Sequence, residues 1–191
     1  MSMDNSANLT GLFRDLVRTA ISAQEVTPSE AVEWYLVRVL ESFARPDRND
    51  LFDPPLALDF LAANHLPAMQ RYDKLKRVGD TALFVTGMFA DSLEGRAVGA
   101  SYYAALGRTA FARLSQDHRD ATLGQLFGEL CDRFPECVGV LMEVSEQDVF
   151  HREQDTVRLY RRWQQTHGRH EADLLARRGL VPMAPLNRHR H

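Results

Sequence analysis

Several chemistries can be set aside because the residues they need are scarce in this chain. There are two cysteines, Cys131 and Cys137, too few for a disulfide framework, and a zinc site would need further partners at ligand spacing. The pair brackets Phe134 and Pro135, where one helix ends and another starts. Both are expected to be reduced, part-buried thiols, with a redox pair as the alternative. Lysine is almost missing, so the positive charge of the chain is carried by arginine.

Long apolar runs are missing as well. The longest strongly apolar run, 81–90, is closed by Asp80 and Asp91 and is about half the length of a membrane span. Residues 1–8 are polar, carry Asp4 and lack both a basic and an apolar region, so they do not read as a signal peptide. The expectation is a cytoplasmic protein with no membrane association, and the Asn8-Leu9-Thr10 sequon then reads as a helix cap.

No glycine-rich phosphate loop, no G-x-S-x-G elbow and no His-Glu-x-x-His motif is present. A di-iron bundle needs two Glu-x-x-His pairs plus two more inward carboxylates, and the nearest match is a lone Asp148-x-x-His151. His167 and His170, followed by Glu171 and Asp173, flank Gly168 in a polar stretch and read as solvated side chains rather than metal ligands. No cofactor is implied. Strand alternation is also absent, since Cys137 to Met142 could form a short strand only in isolation and lies between helical stretches.

What remains is a chain of 191 residues, 45% hydrophobic and 26% charged, near the average for a globular domain. One helical domain is expected over 9–182, with frayed ends at 1–8 and 183–191. Leu12, Phe13, Leu16, Val17, Ala20 and Ile21 recur at helical spacing and predict a first amphipathic helix. Thr27-Pro28-Ser29-Glu30 has the form of a capping box with Thr27 as N-cap, opening a helix that runs to about Ala44. A loop at 45–55 precedes short helices near 56–63 and 67–78.

Gly79-Asp80-Thr81 reads as a break, with Asp80 capping a fresh helix over 81–93 that is apolar nearly all round and therefore buried. The next helix, 97–114, is rich in Gly and Ala, which lets it approach that helix closely. Helices near 120–134 and 136–144 follow. Ser145 then reads as the cap of a long helix bearing Val149, Phe150, Val157, Tyr160 and Trp163, and a short helix over 169–178 ends at Gly179. The architecture is all-α, a single irregular bundle of about eight to ten helices.

Two features point toward function. The first is charge asymmetry. Residues 1–150 carry 14 Lys and Arg against 22 Asp and Glu, a net of −8, whereas 151–191 carry 9 against 4, a net of +5. Arg158, Arg161 and Arg162, with Trp163 at their margin, form a candidate partner-binding face. A near-neutral pI and the absence of a helix-turn-helix pattern favour a protein partner or self-association over nucleic acid. The second is a polar set in the apolar centre, Arg77, Asp80, Tyr102, Tyr103 and Arg108, which could line a ligand cavity. A cap with a salt-bridge partner, and tyrosines with satisfied hydroxyls, would explain the same residues structurally.

The stretches 77–93 (RVGDTALFVTGMFADSL) and 101–114 (SYYAALGRTAFARL), with Leu159-Tyr-Arg-Arg-Trp163 and Leu180-Val-Pro182, resemble an uncharacterised family of bacterial all-helical proteins. The resemblance covers most of the chain from about residue 30. It implies a stand-alone bacterial protein and brings no activity, cofactor or site residues. The leading expectation is a non-enzymatic helical binding or adaptor protein. The alternative is a small-molecule-binding, even enzymatic, bundle with its pocket between helices 81–93 and 97–114.

Overall fold

The computed structural model describes residues 3–44, 56–93, 99–117 and 120–147, all within the unit Met1–Gln147. These residues contain no strand. Seven helices of eight residues or more and one four-residue helical turn carry the fold. They are α1 (Met3–Ala23), α2 (Glu30–Ala44), α3 (Leu56–Ala63), α4 (Ala68–Met88), the turn α5 (Ala90–Leu93), α6 (Ala100–Asp117), α7 (Ala121–Asp132) and α8 (Phe134–Glu146). The expected count of eight to ten was higher. The loop expected at 45–55 and the helices expected beyond Ser145 lie outside the described residues.

α1 buries Phe13, Leu16, Val17 and Ala20 against the apolar face of α2, which holds Val32, Leu36, Val37, Val39 and Leu40. Between the two helices Glu25 adopts φ 52°, and the Val26 N–H reaches back to the Ile21 carbonyl at 3.3 Å. This is a left-handed C-cap made without glycine. The start of α2 corrects the expected capping box. Ser29, not Thr27, is the cap, its hydroxyl accepting from the Val32 N–H at 3.3 Å. The acid that closes the box comes from another helix: the Ser29 N–H donates to Glu129 of α7 at 2.8 Å. Thr27 contributes its carbonyl instead, which accepts from Arg133 at 2.5 Å. Sequence spacing cannot show a cap whose carboxylate arrives from a hundred residues away.

The predicted break at Gly79-Asp80-Thr81 is not a break, and Asp80 is not a cap. α4 runs unbroken from Ala68 to Met88, and every residue from Val78 to Gly87 is buried. The glycine is there for proximity. A Cβ on Gly79 would stand 2.5 Å from the Phe111 ring of α6, and one on Gly87 would collide with Cβ of Leu141 of α8. Two turns apart, these glycines let two helices press on the same central one. The helix expected over 81–93 is therefore the second half of α4 plus the turn α5, joined at Phe89.

α6 lies on α4 in the most extensive of the helix contacts, as its small residues predict. The two run antiparallel, meeting at Arg71–Asp117 (3.1 Å), Gly79–Phe111 and Ala82–Gly107. α8 follows α4 in parallel, with Phe134 at the level of Ala82 and Gly107 and Leu141 at the level of Gly87. α7 folds back on α6, and the Ser115 hydroxyl donates to the Gly124 carbonyl at 2.7 Å. Asp120 caps α7 by accepting from the Thr122 and Leu123 N–H groups at 2.8 and 3.3 Å. Ser145 lies inside α8, its hydroxyl donating to the Met142 carbonyl, so it does not open a new helix there. The segment 137–142 is helical. Among the described residues no helix is long and apolar enough to cross a membrane.

Candidate functional site

Two places in this frame bring polar chemistry and apolar surface together. The first is a seam of buried charge along α4. Asp59 of α3 is 2% exposed yet meets two cations, Lys74 and Arg77, the latter at 3.0 Å. Asp80, one turn further into α4, is 7% exposed; it accepts from the Tyr35 hydroxyl and from Lys76, each at 2.5 Å. Burying a carboxylate is costly unless it is paired and hydrogen-bonded, and both acids meet that condition. Tyr35 is also fixed by its ring, which stands edge-on to Phe111 and Phe127 at 5.9 and 6.1 Å.

The same surroundings decide the protonation of the seam. Burial first, and the Asp80 carboxylate second, hold the Tyr35 hydroxyl well above its usual pKa of 10.0. Tyr72 is raised by the same two causes in the same order. Tyr35 is thus a neutral donor to Asp80 at physiological pH, not a tyrosinate base or nucleophile. Cys137 follows a similar rule. Burial, then Glu136 and Glu129, push its thiol up to about 12, with Arg133 opposing. A thiol that stays protonated is a poor nucleophile and a poor metal ligand. Both cysteines are free, as expected of ordinary thiols, with Cys137 buried and Cys131 half-buried.

The second place is a cleft of about 670 Å³ between α6 and α8. Its walls are Ala100, Ser101, Ala104, Ala105 and Arg108 on α6, and Pro135, Val138 and Met142 on α8. Its floor is Thr86 of α4, with Ala90, Leu93 and the buried Phe134. Each wall repeats at one helical turn, so two antiparallel ridges enclose an apolar trough. Thr86 adds no unmet polarity, since its hydroxyl donates to the Ala82 carbonyl at 2.7 Å.

Arg108 marks one end of the trough. Its Nε donates to the Cys131 carbonyl at 3.3 Å, at the C-terminal end of α7, where a cation suits the helix dipole. Among the described residues Arg108 has no carboxylate partner. The other described Arg and Lys side chains do, except Arg113, which is bonded to Asn64 and stacked 4.5 Å over Phe60.

The five residues singled out in the sequence therefore fall into three settings. Arg77 and Asp80 share α4 and the charged seam, where Arg77 meets Asp59 and Asp80 meets Tyr35 and Lys76. Tyr102 and Tyr103 lie more than a turn before the level at which α6 crosses Ala82, with rings edge-on at 5.5 Å and Tyr102 42% exposed. Neither lines the cleft; of the five, only Arg108 does. Sequence reasoning missed Tyr35 and Lys76, which are partners of Asp80 among the described residues. Lys76 was within reach at four residues' spacing, but Tyr35 is brought in from another helix. It also missed the α8 wall, whose Pro135, Val138 and Met142 recur at helical spacing.

Arg158, Arg161, Arg162 and Trp163 lie outside the described residues, as do Asp148, His151, His167 and His170. Among the described residues there is no group of three or more His, Cys, Asp or Glu that could hold a metal ion. Comparison of the chain with protein-family models, with curated proteins and with solved structures gives no match.

Proposed function

We propose that this chain is a non-enzymatic binding or adaptor protein, acting through a macromolecular partner or through another copy of itself. The observation that carries this reading is the α6–α8 cleft. Its described lining is mainly apolar, and it ends at Arg108, which has no carboxylate partner among the described residues. The potentially reactive groups described above support it, because Asp59, Asp80 and Tyr35 are engaged with one another's helices and Cys137 is held protonated. Exposed Leu58 and Leu61 on one face of α3, with Met69 at the start of α4, add apolar surface of the kind that interaction sites use.

A second reading is a small-molecule site in the same cleft, since its volume falls within the range of ligand pockets. Native mass spectrometry of the purified full chain separates the two. Binding of a macromolecule predicts a species heavier than the 21.7 kDa chain by a second polypeptide. That species should be lost when Ala104→Trp fills the trough. A monomer that retains a small molecule until Ala104→Trp releases it would overturn the reading in favour of the second, and a bare monomer would count against both.

The basic stretch beyond residue 150 enters this proposal as a second contact. Replacing Arg158, Arg161 and Arg162 with Glu should abolish the heavier species and leave the melting temperature unchanged. An undiminished complex would remove those arginines from the reading. The full count of eight to ten helices, the cytoplasmic location and the bacterial origin belong to the same proposal.

A further inference from the structure

Resting on that reading, we propose that the α6–α8 cleft receives a single amphipathic helix from a partner protein, and that an acidic residue of that helix pairs with Arg108. The dimensions are those of a helix seat. From Ala100 to Arg108 and from Pro135 to Met142 the walls run about 10–12 Å at 1.5 Å per residue, the length of roughly two helical turns. Ridges repeating every three or four residues complement the same repeat on an incoming helix. Ala100, Ser101, Ala104 and Ala105 keep the α6 wall low, so a third backbone can come close, while Phe134 and Leu93 supply an apolar floor. Recognition by β-strand addition would instead need a free strand edge, and the described residues include no strand.

Charge selects the partner's sign. The Arg108 side chain is exposed at the end of the trough and spends its Nε on the Cys131 carbonyl. The rest of its planar guanidinium fork is free to take a carboxylate in two-point geometry. Among the described residues, Lys74, Lys76 and every acidic side chain lie away from this cleft, so Arg108 gives its described lining the one formal charge. An apolar stripe with an Asp or Glu at one end is the complementary surface.

Selection from a displayed library of helical peptides against the folded full chain tests this directly. The expected result is enrichment of sequences with apolar residues at i, i+3 or i+4 and i+7 and with Asp or Glu at one end. Their affinity should fall at least tenfold on Arg108→Gln. On Arg108→Glu the selected end residue should change from acidic to Lys or Arg, an inversion that a purely structural role for Arg108 would not produce. Ala104→Trp should remove binding of the enriched peptides. Should that variant melt early, Val138→Glu serves as the second trough-blocking change.

Failure to enrich any peptide displaced by these changes would overturn the helix seat. Enrichment without an acidic preference would overturn the Arg108 pairing. Self-association that Ala104→Trp abolishes, with no peptide enriched, would make the occupant a second copy and overturn the partner helix while sparing the binding proposal.

Discussion

The α4 seam and the α6–α8 cleft share α4, yet they treat polar groups in opposite ways. In the seam Asp59 and Asp80 are almost inaccessible, and each is met by a hydroxyl or cation brought from a neighbouring turn or helix. In the cleft an arginine sits at the surface with no carboxylate partner among the described residues, beside alanines where larger side chains would have closed the trough. The contrast separates residues that hold the fold from residues left available to something outside it. Buried polar groups are expensive unless satisfied, so satisfaction inside is a requirement of folding. An exposed cation carries no such penalty, so its freedom tells of selection only if something binds it.

The contrast predicts unequal responses to truncation. Phe111 is fully buried where α6 meets α4, stacked on Phe127 at 6.0 Å and touching the Gly79 position. Phe111→Ala removes the ring that fills this junction and should cost about 3–5 kcal/mol. Met142→Ala takes a half-buried side chain from the cleft wall, where solvent can occupy the vacated space, and should cost under about 1 kcal/mol. Chemical denaturation of both variants checks the pair. Comparable losses would mean the cleft is part of the core and not a surface.

A smaller effect concerns the hydroxyl of Tyr35. Tyr35→Phe takes a donor from Asp80 while preserving the ring contacts, and should cost about 1–3 kcal/mol near neutral pH. The alkaline limb of the stability curve gives a second handle. Cys137 binds its proton more tightly folded than unfolded, its pKa moving from 9.0 up to about 12, and Tyr35 is raised above 10.0 in the same sense. The folded state therefore carries the extra protons. Stability is full below pH 9 and falls as pH climbs toward 12, by up to about 1.4 kcal/mol per pH unit for each group in its own window. Tyr35→Phe should reduce the slope above pH 10, where Cys137 and Tyr72 continue to contribute, and leave the part from 9 to 10, which belongs to Cys137. A stability curve level from pH 8 to 11 would contradict the burial of both groups.

Much of the frame was legible in the chain because helical periodicity is local. The stripe of Phe13, Leu16, Val17 and Ala20, the end of α2 at Ala44 and the small-residue face of α6 all follow from spacing within one element. What escaped was set by contacts between elements. Gly79 has the local look of a helix break, and only the Phe111 ring, thirty-two residues on, explains why a glycine is required inside a continuous helix. Asp80 beside it has the local look of a cap, but Tyr35 of α2 and Lys76 make it a buried acceptor. The Ser29 cap was misread by two residues because Glu129 supplies the missing half of its box. The cleft needed both ridges to exist, and Pro135, Val138 and Met142 announce nothing until they stand opposite Ala100 to Arg108.

The last and smallest effect tests whether Arg108 belongs with the seam or with the cleft. Its bond to the Cys131 carbonyl is single, long at 3.3 Å and solvent-exposed, which places it among surface interactions that contribute little to stability. Arg108→Gln keeps a donor of nearly the same reach while removing the charge, so the change in unfolding free energy should stay within about 0.5 kcal/mol. Matched thermal and denaturant melts of the two proteins provide the measurement. A loss approaching that of Tyr35→Phe would show that the arginine is needed to close the end of α7, making its position at the mouth of the trough a consequence of folding. A negligible loss leaves the cation with no structural task of comparable size. Its exposure beside an apolar trough would then set it apart from the paired cations that hold α3 and α4 together.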